Sequence, residues 1–129
     1  MNILDENIIN SERMLLEQWR IRVRQIGYEV GRQGMKDLEI ISFLQQSRQT
    51  TFFSRDRDFF HKHVCHANYC LIRLDVKKNE TASLIRRVLR HPEFNTKAKR
   101  MGKVIQVTID HVYVWQIHAE EKRKLNWIA

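Results

Sequence analysis

The chain has 129 residues, a length that suits a single domain over 1–129 able to bury a core without disulfide or metal staples. Apolar residues at 43%, charged residues at 29%, one proline and four glycines argue against a disordered chain or long linkers. Lysine and arginine number 23 against 15 acids, and the resulting charge of +8 favours a polyanionic partner, nucleic acid or an acidic protein segment, through attraction that weakens with salt.

The opening Met1-Asn2-Ile3-Leu4 reads as a short strand followed at once by Asp5, Glu6 and Asn7. Ser11 is placed to cap a helix running to about Val23, since Met14, Leu15, Leu16 and Trp19 recur at helical spacing. Ile26 to Val30 is expected as a second strand, and Gly31 to Gly34 as a flexible loop. Asp37 lies near the start of a helix whose stripe is Ile40, Ile41, Phe43 and Leu44, where an acid suits the helix dipole. Thr51 to Ser54 is short and apolar on both faces, as a central parallel strand with helices on each side should be.

A short helix through Phe59, Phe60 and His63 is expected to lead to a fourth strand, Tyr69 to Leu74. Asn79 then caps a helix with Leu84, Ile85, Val88 and Leu89 inward and Arg86, Arg87 and Arg90 outward, ended by Pro92. Two alternating runs, Val104–Ile109 and Val112–Ile117, read as a hairpin turning at Asp110-His111. The tail from Glu120 is basic, with Trp127 as an anchor. This order predicts an α/β three-layer sandwich around a mostly parallel central sheet, closed by a terminal β-hairpin.

Acids therefore follow three successive strands: Asp5, Asp37, and Asp56 with Asp58. Ligands of open α/β sheets bind outside the carboxyl ends of the strands, so these carboxylates are expected to converge there and share Mg²⁺ or Mn²⁺. Such a site suits phosphodiester hydrolysis, with Asp5 and Asp56 as primary ligands, Asp37 and Asp58 on a second ion or through water, and Ser54 orienting one of them. The same aspartates also sit where helix caps are favoured, which is their structural alternative.

Taken together, Asp5-Glu6-Asn7, Gly27-Tyr28-Glu29-Val30, Gly34 with Asp37-Leu38-Glu39-Ile40, and Phe53-Ser54-Arg55-Asp56-Arg57-Asp58-Phe59 resemble small bacterial PIN-like proteins. The likeness covers roughly the first 75 residues. It implies a PIN-like fold, a Mg²⁺- or Mn²⁺-dependent ribonuclease acting on single-stranded RNA, and the toxin half of a VapC-like toxin–antitoxin pair. By motif position Asp5, Asp37, Asp56 and Asp58 match the acidic cluster, with Glu6 and Ser54 in support. Either Asp37 or Glu39 fills the helix position, and Ser54 stands where threonine is commoner. The rival class is a non-catalytic interaction module, and a DNA-directed nuclease is a weaker third.

For phosphate contact the candidates are Arg55 and Arg57, interleaved with the acids, and a basic face of Arg86, Arg87, Arg90, Lys99 and Arg100; a solvated helix face is the alternative for the latter. The group His61, His63, Cys65 and His66, with Cys70, fits no common structural zinc spacing, and its members read as core residues or RNA contacts. An antitoxin protein and a homodimer are expected as partners. No apolar run approaches the roughly 18 residues of a membrane span, and no signal-peptide pattern opens the chain, so the expected compartment is cytoplasmic, with reduced cysteines.

Overall fold

The computed structural model of the chain describes residues 1–60 and 64–127. Within them the chain is an α/β fold around one open, mixed sheet of seven strands in the order β2-β1-β3-β4-β5-β6-β7. The strands are β1 Asn2–Leu4, β2 Arg24–Gln25, β3 Thr50–Ser54, β4 Tyr69–Leu74, β5 Lys103–Val107, β6 His111–Gln116 and β7 Arg123–Asn126. The helices are α1 Asn10–Gln18, α2 Asp37–Gln46, α3 Thr81–Arg90 and the single turn α4 Lys97–Arg100. Pairs from β2 through β5 are parallel, whereas β5–β6 and β6–β7 are antiparallel. No helix among the described residues is long and apolar enough to cross a membrane.

Alternation along the inner strands builds two cores, because successive strand side chains point to opposite faces. Leu4, Phe53, Cys70, Ile72 and Ile105 pack with Leu16 of α1 and Leu84, Ile85 and Val88 of α3. Their neighbours Ile3, Phe52, Leu71 and Val104 pack with Ile40 and Leu44 of α2 on the other side. All of β3 is buried, as its apolar run predicts.

Several boundaries differ from expectation, each for a local reason. Helix α1 stops at Gln18 instead of Val23, because Arg20 turns left-handed at φ 61°. There the Ile21 amide donates to the Leu16 carbonyl at 2.9 Å and the Arg20 amide to Glu17 at 3.0 Å, the paired bonds that close a helix C-terminus. The second strand sits earlier, at Arg24–Gln25, and 27–29 form a turn in which the Gly27 amide donates to Val30. Residues after Asp56 make only a 3-10 turn, Arg57–Phe59, and the expected continuation to His63 lies outside the described residues. Another such turn, Lys78–Glu80, precedes α3, so Asn79 lies inside it and is not the cap. The basic tail contributes β7, a third antiparallel strand on the expected hairpin.

The two helices on one face are tied by a buried charge. Glu12 on α1 is 4% exposed, and its Oε1 accepts the Ala82 amide at 3.0 Å, capping the N-terminus of α3, which has no side-chain cap of its own. Replacing Glu12→Ala leaves that amide unpaired and is expected to cost about 1–2 kcal/mol in urea denaturation, with Glu12→Gln losing less.

Candidate metal-binding acidic site

The parallel pairing of β1 with β3 sets two strand ends side by side, and the Asp5 amide extends the pairing by donating to the Phe53 carbonyl at 2.9 Å. Asp5 is 8% exposed, and the Ser54 hydroxyl donates to its Oδ2 at 2.6 Å while the Glu6 amide donates to Oδ1 at 2.8 Å. Ser54 Oγ in turn accepts the Asp56 amide at 3.0 Å. Asp56 Oδ1 then accepts the Asp58 amide at 2.9 Å, starting the 3-10 turn. One chain of hydrogen bonds thus runs from Asp5 through Ser54 to Asp56 and Asp58.

Asp37 reaches the same place from another direction, at the first turn of α2. The loop before it is held by Glu6, whose Oε1 accepts the Gly34 amide at 2.8 Å; Gly34 has φ 77°, a conformation glycine adopts without the Cβ penalty. The carboxylates of Asp37, Asp56 and Asp58 offer ligand oxygens all within 4.8 Å of one another, and among the described residues they are the one such group of three or more acids, histidines or cysteines. Asp5 stands apart from this triad, sharing with Asp56 an adjoining pocket of about 280 Å³ lined also by Asn7, Ile8 and Arg55.

Of Asp37 and Glu39, Asp37 is the one that joins the acidic group. Glu39 is committed elsewhere: its Oε1 accepts the Lys36 amide at 3.2 Å and its Oε2 pairs with Arg32. Gln25, which carries no signal in the sequence, also shapes the site. It is 2% exposed, and its Nε2 donates to the carbonyls of Asp5 at 3.0 Å and Ile8 at 2.8 Å, fixing the loop that carries Asp5.

Burial raises the Asp5 carboxyl above its ordinary value, against the Ser54 and Glu6 hydrogen bonds, and the charge of Asp56 adds to the rise. The Asp37 carboxyl is likewise raised, by desolvation first and then by repulsion from Asp56 and Asp58. None of the four forms an ion pair among the described residues, unlike Asp75 after β4, which meets Arg73 at 3.3 Å. Carboxylate oxygens so gathered could hold a hard divalent cation.

The basic candidates separate into different places. Arg55 lines the acidic pocket, its Nε and Nη2 donating to the Val76 carbonyl at 3.1 and 2.9 Å, and Arg57 is exposed on the adjoining turn. Arg86, Arg87 and Arg90 line another groove with Trp127, where Arg87 lies 4.3 Å over its ring and Arg86 lies 3.8 Å over Trp19. Lys99 Nζ donates to the Pro92 carbonyl at 2.8 Å and to Asn95 Oδ1 at 3.1 Å. Arg100 is 5% exposed and is no surface cation: its Nε donates to Thr51 Oγ1 at 2.9 Å and Nη1 to the Phe94 carbonyl at 2.7 Å, joining α4 to β3.

His61 and His63 lie outside the described residues. His66 stacks on Tyr69, and its Nδ1 accepts the Asn68 amide at 3.1 Å. Cys70 is buried in the core beneath α1 and α3, its thiol pushed up to about 12 by desolvation, which makes it a small apolar residue and no thiolate ligand. No protein-family model matches the chain, and no curated protein or solved structure matches it either.

These environments set two expected outcomes. The folded-state pKa of Asp37 lies above its ordinary value of 3.8, so the fold binds that proton more tightly than the unfolded chain does. Its contribution to stability is full below that value and is lost as pH rises through the window above it. In EDTA, Asp37→Asn is therefore expected to gain stability relative to the parent between acid and neutral pH, as read by denaturation at each pH. Arg100→Ala strands the Thr51 hydroxyl and the Phe94 carbonyl, and its unfolding free energy is expected to fall by about 2–4 kcal/mol.

Proposed function

We propose that the protein is a metal-dependent endoribonuclease of PIN-like, three-layer architecture, hydrolysing phosphodiester bonds of single-stranded RNA as the toxin of a toxin–antitoxin pair. The observation that carries this reading is the meeting of Asp37, Asp56 and Asp58, from two separate strand-to-helix crossings, with ligand oxygens within 4.8 Å and no ion pair among the described residues. Asp37, Asp56 and Asp58 would hold Mg²⁺ or Mn²⁺, with Asp5 behind them. An ion held there would supply activation of water at neutral pH and charge stabilisation for the departing oxygen.

The chain's own groups have distinct parts. Ser54 is a positioning residue: its hydroxyl, held by Asp5, receives the Asp56 amide and so fixes where the Asp56 carboxylate points. Asp58 is oriented by its amide on Asp56. Arg55, held by the Val76 carbonyl at the pocket wall, places a cation beside the acids where a scissile phosphate would enter. Its role is to draw the backbone in against the repulsion of the carboxylates.

The test uses purified protein with end-labelled single-stranded RNA, in Mn²⁺ or Mg²⁺ against EDTA. Cleavage is expected only with the metal, absent in Asp56→Asn, and reduced about 10–100-fold in Ser54→Ala, the cost of losing a partner that orients a metal ligand. Mn²⁺ is also expected to raise the melting temperature of the parent in proportion to RT ln(1 + [L]/Kd), and to leave Asp56→Asn nearly unmoved. Neither cleavage nor a Mn²⁺ shift in the parent would overturn the catalytic reading and leave a non-catalytic interaction module.

A further inference from the structure

A second charged surface lies at the amino end of β1, away from the acids. Between α1 and β2 the chain alternates: Arg20, Arg22 and Arg24 are exposed, while Ile21 and Val23 pack against the core between them. Together with Lys97 these residues line a groove of about 610 Å³. The one acid on its wall is Glu17, which lies 3.2 Å from Arg13 of its own helix. Among the described residues Arg20, Arg22 and Arg24 form no ion pair at all.

Cations gathered on one groove repel each other at separations within a Debye length, about 8–10 Å at moderate salt. Arg20 bears a further cost, since it occupies φ 61° at the helix end, where glycine is the favoured residue. Exposed guanidinium groups that support no neighbour do not repay either cost in the free protein. Arg22 and Arg24 stand two residues apart on the stretch that enters β2, roughly 7 Å at about 3.3 Å per residue of extended chain, with Arg20 at the turn before them. A polymer with an anion on every unit answers that spacing, and the planar fork of arginine grips phosphate oxygens in pairs.

We propose that this groove binds the phosphodiester backbone of a single-stranded nucleic acid. The apolar floor of Ile21 and Val23 leaves room for sugar and base edges between the charges. Asn2 lines the groove and Asp5 the acidic pocket, three residues along one strand, or roughly 10 Å. The groove and the carboxylates thus stand at the two ends of β1. Binding here does not depend on hydrolysis there.

The experiment measures fluorescence anisotropy of labelled RNA and DNA oligonucleotides of matched sequence, about 20 nucleotides long, with the full chain in EDTA, across a salt series. Arg22→Glu with Arg24→Glu is expected to weaken both about tenfold or more and to shrink the slope of log K on log salt by about 1.4, at about 0.7 for each phosphate no longer neutralised. Lysine at both positions should retain the slope, and Lys78→Glu with Lys124→Glu, the same change in net charge placed elsewhere, should leave it unchanged. Glutamine at both positions, which adds no repulsion, gives the same direction should the charge reversal unfold the chain, with melting curves as the check. No binding by the parent, equal weakening in both charge-reversed pairs, or weakening confined to RNA or to DNA would overturn backbone recognition in the groove. So would the weakening of polyglutamate binding alone, with oligonucleotide binding intact, which would assign the groove to an acidic protein segment.

Discussion

Ser54 is fully buried at the end of a fully buried strand, and a hydroxyl in that position has to find its partners without water. It donates to Asp5 and accepts from the Asp56 amide, and both bonds require β1 and β3 to end level with each other. The parallel register of Leu4 with Phe53 provides that alignment. Much of the site's geometry depends on this one satisfied hydroxyl. It joins the end of the first strand to the start of the acidic turn, and it explains how a carboxyl as enclosed as Asp5 is tolerated: both oxygens are bonded, one of them to a hydroxyl that can sit against either protonation state.

The acids beyond Ser54 are arranged against their own electrostatic interest. Asp75, at the end of the neighbouring strand β4, has Arg73 to neutralise it and Gln106 donating to it at 3.2 Å. The fold thus can pair a strand-end acid when pairing serves, yet Asp37, Asp56 and Asp58 face each other without an ion pair among the described residues. Glu6 and Glu39 sharpen the contrast, for both are used up as loop and cap acceptors. The acids near this end of the sheet thus divide into those engaged by backbone and those left to one another, and the second group is the one with ligand geometry.

What is legible in the sequence follows burial. Strand β3 centres on Phe52-Phe53 with no charge in it, β4 is apolar but for Arg73, and β5–β6 alternate, so their patterns point to the centre and the hairpin without a glycine at the turn; Thr108 supplies that turn, its Oγ1 accepting the amides of Asp110 and His111. The end of α1 is illegible because the residue that turns left-handed is an arginine, and nothing in its chemistry announces that. Strand β2 is expected two residues too late because its buried member is Gln25, which is inside for its hydrogen bonds to the Asp5 loop and not for its hydrophobicity. Strand β7 is missed because a basic tail reads as solvated surface, although Leu125 packs against the core and Trp127 Nε1 donates to the Thr108 carbonyl at 2.8 Å. Arg100 misleads in the opposite sense: a cation in a basic run reads as a phosphate contact, and only the third dimension reveals Thr51 and Phe94 around it.

Charge is also sorted along the sheet in a way no composition reveals. A net charge of +8 spread evenly would serve solubility alone, yet along β1 it is polarised, with arginines beside Asn2 and carboxylates beyond Leu4. The separation follows from the chain path: β2 enters the sheet from Arg20, Arg22 and Arg24 at one end and delivers Gln25 to the acid loop at the other, through the register of Ile3 with Arg24 and Leu4 with Gln25. Two residues of β2 therefore join a cationic groove to an anionic pocket. A polyanion approaching the acids alone would be repelled, whereas one that meets the arginines first loses that barrier before it reaches them.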